Sequence, residues 1–410
     1  MTSCSDSTSD TDHKCDTCGK EGFTPCYDSS NDNNHNCDTC GSEMNWENCS
    51  DSSEDDDHNC DVCGKEGITP CYDSSDDTDH NCDVCGETLG NCADSNSDGK
   101  CDECGVSIET YTRNGNKITF GSYPQTKVTD EALASALNSK AGTLPTSDNS
   151  QAWTSYGYYV SGSVGNFMWY IDVEQDGEKY RGVYFTSYRP YIMTYISSAD
   201  YSSQDDNGYS TSTVYWFKYE PISWTVLSEN TTDGTALILC DMIIDSQQYD
   251  YENGTYKNNY AESTIRKWLN ENFYNTAFNE LQKQIILTTT VDNSVESTGY
   301  SSNSYACENT QDKVFLLSYQ DVINANYGFL SNYSDYDTAR QKKPTDYAQA
   351  QGAWTSTITD CAGNGYWWLR SPNYDYSNLA RVVSVFGHSS GRESVNEADG
   401  GVVPALQIRL

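Results

Sequence analysis

Fifteen of the 18 cysteines fall within the first 105 residues, at spacings suited to binding a metal or forming disulfides. They form five units: CSDSTSDTDHKCDTCG, CYDSSNDNNHNCDTCG, CSDSSEDDDHNCDVCG, CYDSSDDTDHNCDVCG and CADSNSDGKCDECG. Four follow C-x8-H-x-C-D-x-C-G, while the last is two residues shorter and has Gly99 where the others place His. Each full unit therefore offers three thiolates and an imidazole, the donor set of a tetrahedral zinc site. The four candidate sets are Cys4, His13, Cys15 and Cys18; Cys26, His35, Cys37 and Cys40; Cys49, His58, Cys60 and Cys63; and Cys71, His80, Cys82 and Cys85.

The same units also repeat three acids in register, and hard carboxylate oxygens suit calcium. These are Asp6, Asp28, Asp51, Asp73 and Asp94; then Asp10, Asp32, Asp55, Asp77 and Asp98; then Asp16, Asp38, Asp61, Asp83 and Asp102. In the fifth unit Asp94, Asn96, Asp98 and Asp102 take positions 1, 3, 5 and 9 of a calcium loop, and Gly99 can supply its bend. Gly105 stands where an acid is expected at position 12. The missing histidine of this unit counts against zinc, and the odd number of cysteines per unit counts for it. Calcium combined with disulfides is the favoured expectation, with zinc as the alternative. Redox chemistry is excluded, because no βαβ pattern surrounds the CxxC pairs and acidic neighbours raise thiol pKa values.

Charge and apolar content separate this arm from the rest. Residues 1–105 hold 27 Asp and Glu against 4 Lys and Arg, which accounts for −23 of the net charge of −37. So few large apolar residues cannot offset the conformational entropy of folding, so crosslinks or ions must order the arm if it is ordered. The acidic balance argues against nucleic acid or an anionic membrane as partner. No apolar run is long enough to span a bilayer, so membrane insertion is not expected. The expected organisation is five repeats in 1–106 (about 4–19, 26–41, 49–64, 71–86 and 92–105), a linker over 107–116, and a globular domain over 117–410.

The globular part must supply any rigid binding surface. KITFGSYPQ (117–125), PISWTVLS (221–228), TALILCDMII (235–244) and KVFLLS (313–318) read as strands, as do YWWLRSP (366–372), ARVVSVF (380–386) and VVPALQIRL (402–410). Ser263 is placed to cap a helix with Ile265, Trp268, Leu269 and Phe273 on one face; Phe278, Leu281 and Ile285 continue the pattern. The Tyr/Ser/Gly-rich stretch 126–219 reads as hairpins and loops, with Trp153, Trp169 and Trp216 as core or cover. Short strands with two helices between them give an α+β class.

The ordered strings FGSYPQ, ISWTVL, STIRKWLN followed by FYNTAF, KVFLLS, WWLRSP and GVVPALQI resemble a family of bacterial surface-protein domains of unknown function. That resemblance covers nearly all of 117–410 and implies a C-type-lectin-like fold, shared with formylglycine-generating enzymes. Val403 departs from it, since the family has Arg there. The repeats are similar to thrombospondin type 3 calcium loops, with different spacing. In lectin-like folds ligands meet loops near the last strands, which here implies Asn373, Tyr374, Asp375, Tyr376 and Asn378 with His388, Ser389, Arg392, Glu393 and Asn396. Receptors diversified by retroelements vary these same strands, so such a receptor is one alternative.

Catalysis is not expected. Outside the repeats only Cys240, Cys307 and Cys361 remain, none in a motif beside a base, and His388 is the domain's sole histidine. Cys240 reads as a buried small hydrophobe; Cys307 and Cys361 read as loop residues able to form a disulfide. Arg370 is expected to meet a buried carboxylate, and His388 to be solvated. Met1-Thr2-Ser3-Cys4 opens on a repeat with no secretory signal, so a fragment of an extracellular or cell-surface protein is expected. Its partner is then an unknown protein or glycan, and a structural surface protein with no specific ligand is a further alternative.

Overall fold

A computed structural model describes residues 110–146, 148–160, 163–189, 203–251 and 255–410. The chain divides into Met1–Glu109 and Thr110–Leu410. The five repeats, with every calcium and zinc ligand expected there, lie outside the described residues.

Thr110–Leu410 is mixed α/β, mostly sheet with few helices. It starts earlier than expected: Thr112–Asn114, assigned to the linker, is a strand paired antiparallel with Lys117–Lys127. Nine strands form the larger sheet, all antiparallel, running Ile286–Leu287, Ala405–Arg409, Thr235–Cys240, Val214–Asn230, Glu178–Phe185, Met168–Gln175 and Thr154–Ser155; Lys117–Lys127 also pairs with Val214–Asn230. A second sheet of five runs Asp245–Ser246, Gly401–Val402, Trp367–Pro372, Leu379–Val383 and Gly391–Ser394. Val403 and Pro404 carry the chain from one sheet to the other, so VVPALQIRL is two strands. Proline has no N–H to donate to a ladder, which places the break there. Val403 is fully buried, so the position where Arg was expected is apolar core.

The family-like strings are positioned by packing. In FGSYPQ, Phe120 meets the Phe278 ring at 4.9 Å, and Gly121 sits at φ 71° where the register with Val214–Asn230 shifts. A Cβ at Gly121 would lie 2.6 Å from the Phe278 ring, so both the bulge and the close approach require glycine. Ser263 caps Thr264–Trp268 by accepting from the Arg266 amide. The helix continues as a π turn, Leu269–Phe273, and then as Tyr274–Ala277; Ile265, Leu269 and Phe273 are buried. Such π turns concentrate at functional sites.

KVFLLS differs from expectation. Only Phe315 makes a ladder contact, an isolated bridge to Ala405. Side chains satisfy several of its other backbone groups: Asn270 Oδ1 accepts from the Lys313 and Val314 amides, and Arg370 Nη1 donates to the Leu316 carbonyl at 2.7 Å, while the Leu317 carbonyl accepts the Arg370 amide. Arg370 also meets the half-buried Asp321 carboxylate at 2.7 Å.

The stretch 126–219 contains an element that the sequence reading missed. Asp130 caps the helix Glu131–Ala141 through the Ala132 and Leu133 amides. Leu137 and Ala141 pack with Trp153, Trp169, Tyr180, Tyr184 and Trp216, so all three expected tryptophans are buried in this smaller core. Asn138 Oδ1 accepts from the Trp216 indole at 2.8 Å.

Candidate functional site

The ten residues expected to bind ligand separate into builders and presenters. Asn373, Ser389 and Asn396 are buried. Asn373 Oδ1 accepts from the Asp375 and Tyr376 amides, Ser389 donates its amide to the Tyr333 carbonyl, and Asn396 Oδ1 accepts from Ser394 Oγ. Asn378 is half-buried and accepts the Val395 amide. His388 was expected to be solvated; it is half-buried, with its ring clustered against Tyr336 (4.9 Å) and Phe386 (5.9 Å). The exposed members are Tyr374, Asp375, Tyr376, Arg392 and Glu393. The fold brings the two loops together at Arg392, 3.8 Å from Asp375 and 5.8 Å from the Tyr376 ring centre.

A separate cleft of about 170 Å³ was not legible in the sequence. Tyr123 reaches it from the FGSYPQ strand, Arg181 from Glu178–Phe185, and Tyr347 from the helix Asp346–Gln351. Trp268, Asn272 and Thr276 line it from the π-bulged helix, whose extra residue per turn sets which side chains face the opening. Tyr156, Tyr170, Arg189, Asp245 and Gln247 complete most of the wall.

Several of the buried polar groups there pair with one another. Asp245 is 1% exposed; it accepts from the Tyr123 hydroxyl at 2.7 Å, its neighbour's amide at 2.6 Å and Gln247 Nε2 at 3.1 Å. Burial nevertheless raises its pKa, because desolvation penalises the charged form more than these donors favour it. Arg181 grips Asp172 with two hydrogen bonds of 2.8 and 2.7 Å and lies 4.2 Å over the Tyr170 ring. Tyr156 and Tyr347 share one hydrogen bond of 2.8 Å between their hydroxyls, and Arg181 Nη1 stands 3.5 Å from the Tyr347 oxygen. Burial pushes the Tyr123, Tyr156 and Tyr347 hydroxyls above their ordinary values, so they act as donors rather than phenolates.

The cysteines stand apart from this chemistry. Cys240 is buried, and burial pushes its thiol up to about 12. Cys307 and Cys361, read as able to form a disulfide, are both free; Cys361 Sγ instead lies 3.2 Å from Ser356 Oγ. Among the described residues no group of three or more His, Cys, Asp or Glu could hold a metal ion, and no helix is long and apolar enough to cross a membrane.

No curated protein and no solved structure matches the chain. A family model does match, over a span that takes in the capped helix, WWLRSP and GVVPALQI but starts after FGSYPQ and ISWTVL. The cleft straddles its edge, with Asp245, Trp268 and Tyr347 inside and Tyr123, Tyr156 and Arg181 before it. Residues 233–410 thus match the family described as Domain of unknown function (DUF6273).

Proposed function

We propose that Thr110–Leu410 is a non-catalytic ligand-binding domain of an extracellular or bacterial cell-surface protein. A C-type-lectin-like fold is part of this proposal and rests on the ordered sequence strings. The cleft is the observation that carries it: a concave, polar site of about 170 Å³ whose tyrosine hydroxyls are held as donors. Binding sites are typically preformed concavities with a few fixed polar groups. Tyr123 donates to Asp245, but burial holds that hydroxyl well above its ordinary value, so it stays protonated, which favours binding over catalysis.

The cleft suits one residue of a glycan, which would present hydroxyls to Asn272, Thr276 and Gln247 and a carbon face to Trp268. Glycan arrays probed with the full chain are expected to give positive spots. Thr276→Trp, which fills the opening, is expected to weaken them at least tenfold, on the order of 1.4 kcal/mol. Undiminished binding by that variant would move the site elsewhere, and arrays blank with and without calcium would favour a purely structural role. The patch of Tyr374, Asp375, Tyr376, Arg392 and Glu393 favours a second reading, a protein-binding receptor diversified in these loops. A reverse transcriptase and an imperfect template copy beside the gene would support it; finding neither would end it.

The repeats are proposed to bind calcium, with zinc as the alternative, and to hold the domain away from a surface. Under non-reducing conditions, EDTA is then expected to speed proteolysis of the full chain within residues 1–105 by about tenfold or more, as loss of bound ion removes RT ln(1 + [L]/Kd) of stability. Identical digestion with and without EDTA would refute metal-dependent order. Elemental analysis of protein purified without chelators identifies the ion.

A further inference from the structure

We infer that the cleft selects an acidic sugar and that the hydroxyl pair Tyr156–Tyr347 receives its carboxylate. This rests on the binding role proposed above and names the class of ligand. Two hydroxyls joined by one hydrogen bond use one of their two protons between them. The remaining O–H needs an acceptor. Arg181 Nη1, 3.5 Å from the Tyr347 oxygen, is a guanidinium and accepts nothing. Tyr347 is fully buried and Tyr156 half-buried, so leaving that proton without a partner carries a desolvation cost. The pair therefore offers a surplus donor to whatever enters.

Charge decides which acceptor fits best. The lining carries two guanidinium groups, Arg181 and Arg189, against one carboxylate, Asp245, which burial pushes towards its neutral form. The lining thus holds one more cation than anion, with Asp172 outside it pairing Arg181, in a chain segment, residues 106–410, whose own net charge is −14. The Asp245 carboxylate already accepts from three donors, and Arg181 is held by Asp172, so both stay in place when a ligand arrives. An oxyanion meeting the Tyr156–Tyr347 donor forms a charge-assisted hydrogen bond, roughly twice as strong as a neutral one.

Size separates a sugar acid from a bare anion. About 170 Å³ exceeds what acetate or inorganic phosphate needs, and the lining also holds Asn272 and Thr276, which can meet ring hydroxyls. A hexuronic acid carries one carboxylate and several hydroxyls on a single ring, and the lining supplies both the donor pair and these polar side chains.

The test is calorimetric titration of the full chain with D-glucuronate, D-glucose and inorganic phosphate. Glucose matches glucuronate in its ring without the charge, and phosphate carries negative charge without the ring. Glucuronate is expected to bind at least tenfold more tightly than glucose or phosphate. Tyr156→Phe and Tyr347→Phe are expected to bring glucuronate down to the level of glucose, with melting temperature unchanged in at least one of them. Equal affinity for glucose and glucuronate would overturn the carboxylate assignment while leaving a sugar-binding cleft. Phosphate binding as tight as glucuronate would overturn the sugar-acid class. Glucuronate binding that both phenylalanine variants retain would overturn the location, and no glucuronate binding at all would overturn the inference. Blank glycan arrays in addition would remove the binding role itself.

Discussion

Asp337→Ala is expected to destabilise Thr110–Leu410 by about 3–5 kcal/mol, the cost of leaving a buried charge without its counter-ion. Arg340 is fully buried and Asp337 is 4% exposed. The guanidinium lies 3.2 Å from the Asp337 carboxylate, and its terminal nitrogens donate to the carbonyls of Val322, Leu330, Asn332 and Asp335 at 3.1–3.2 Å. Those carbonyls satisfy hydrogen bonds but do not balance charge. Asp337 also accepts the Leu330 amide at 2.8 Å and the Ala339 amide at 2.9 Å, so alanine orphans two backbone donors as well. Asp337→Asn keeps an acceptor and removes the charge, and should fall between wild type and alanine. Adding Arg340→Met to Asp337→Ala should recover part of the loss, because the uncompensated cation is gone. Urea denaturation of the full chain measures all four proteins. A loss below about 1 kcal/mol for Asp337→Ala would mean that water reaches Arg340 and the pair is an ordinary surface bridge. The effect should extend to the neighbouring loops, because the Tyr333 carbonyl accepts the Ser389 amide and Tyr336 packs on Phe386 and His388.

What the sequence revealed follows from how local each signal is. Alternating apolar residues mark 221–228, which buries one face in a sheet, while the continuous apolar runs in 235–240 and 367–372 mark strands buried on both faces. The Ser263 cap is equally local, a side chain bonding an amide three residues on. KVFLLS has the same apolar run, yet its hydrogen-bond partners are the side chains of Asn270, more than 40 residues earlier, and Arg370, more than 50 later. Composition carries no trace of that substitution. Glu131–Ala141 was hidden because its apolar face is narrow, with only Leu137 and Ala141 buried, although Asp130 and Gly142 are ordinary cap residues. The cleft draws on residues from Tyr123 to Tyr347, none in a recognisable spacing, so only folding brings them together. Of the loop residues expected to bind ligand, asparagine and serine could not be told apart from loop builders. The same side-chain oxygens that can contact a ligand also satisfy the amides of a tight turn.

Raising the pH from 5 to 9 should cost the globular unit on the order of 4 kcal/mol, and Glu397→Gln should recover much of that at pH 9 only. Glu397 and Asp399 are 9% and 6% exposed. Burial pushes the Glu397 carboxyl up to about 8, with repulsion from Asp399 and Glu393 adding to it. Burial likewise pushes Asp399 to about 7, against the opposing effect of the Tyr366 hydroxyl, which donates to it at 2.5 Å. In the unfolded chain both groups titrate near 4. Between those limits the folded state holds protons that the unfolded state has released, so stability falls as pH rises. This contribution is fully present below about pH 4 and is lost as pH rises through 7 and 8. The two titrate as a coupled pair, so their separate contributions do not add. Asp245, also raised by burial, works in the same direction. Asp241 works in the other: although burial pushes it upwards, hydrogen bonds from Lys117, Thr225 and Ser223 hold it below its ordinary value, so its contribution is lost only in acid. Urea midpoints at pH 5, 7 and 9 for wild type and Glu397→Gln decide the matter. A wild-type profile that is flat or rises across that range would refute it, as would an equal gain for the variant at pH 5 and 9. The consequence reaches the cleft. Ser246 Oγ donates to the Ala398 carbonyl, the Gln247 amide to Gly400 and Gln248 Nε2 to Asn396, so the acid-bearing segment braces the strand that holds Asp245. Ionising the pair pushes that brace apart, and ligand affinity should therefore fall over the same pH range as stability.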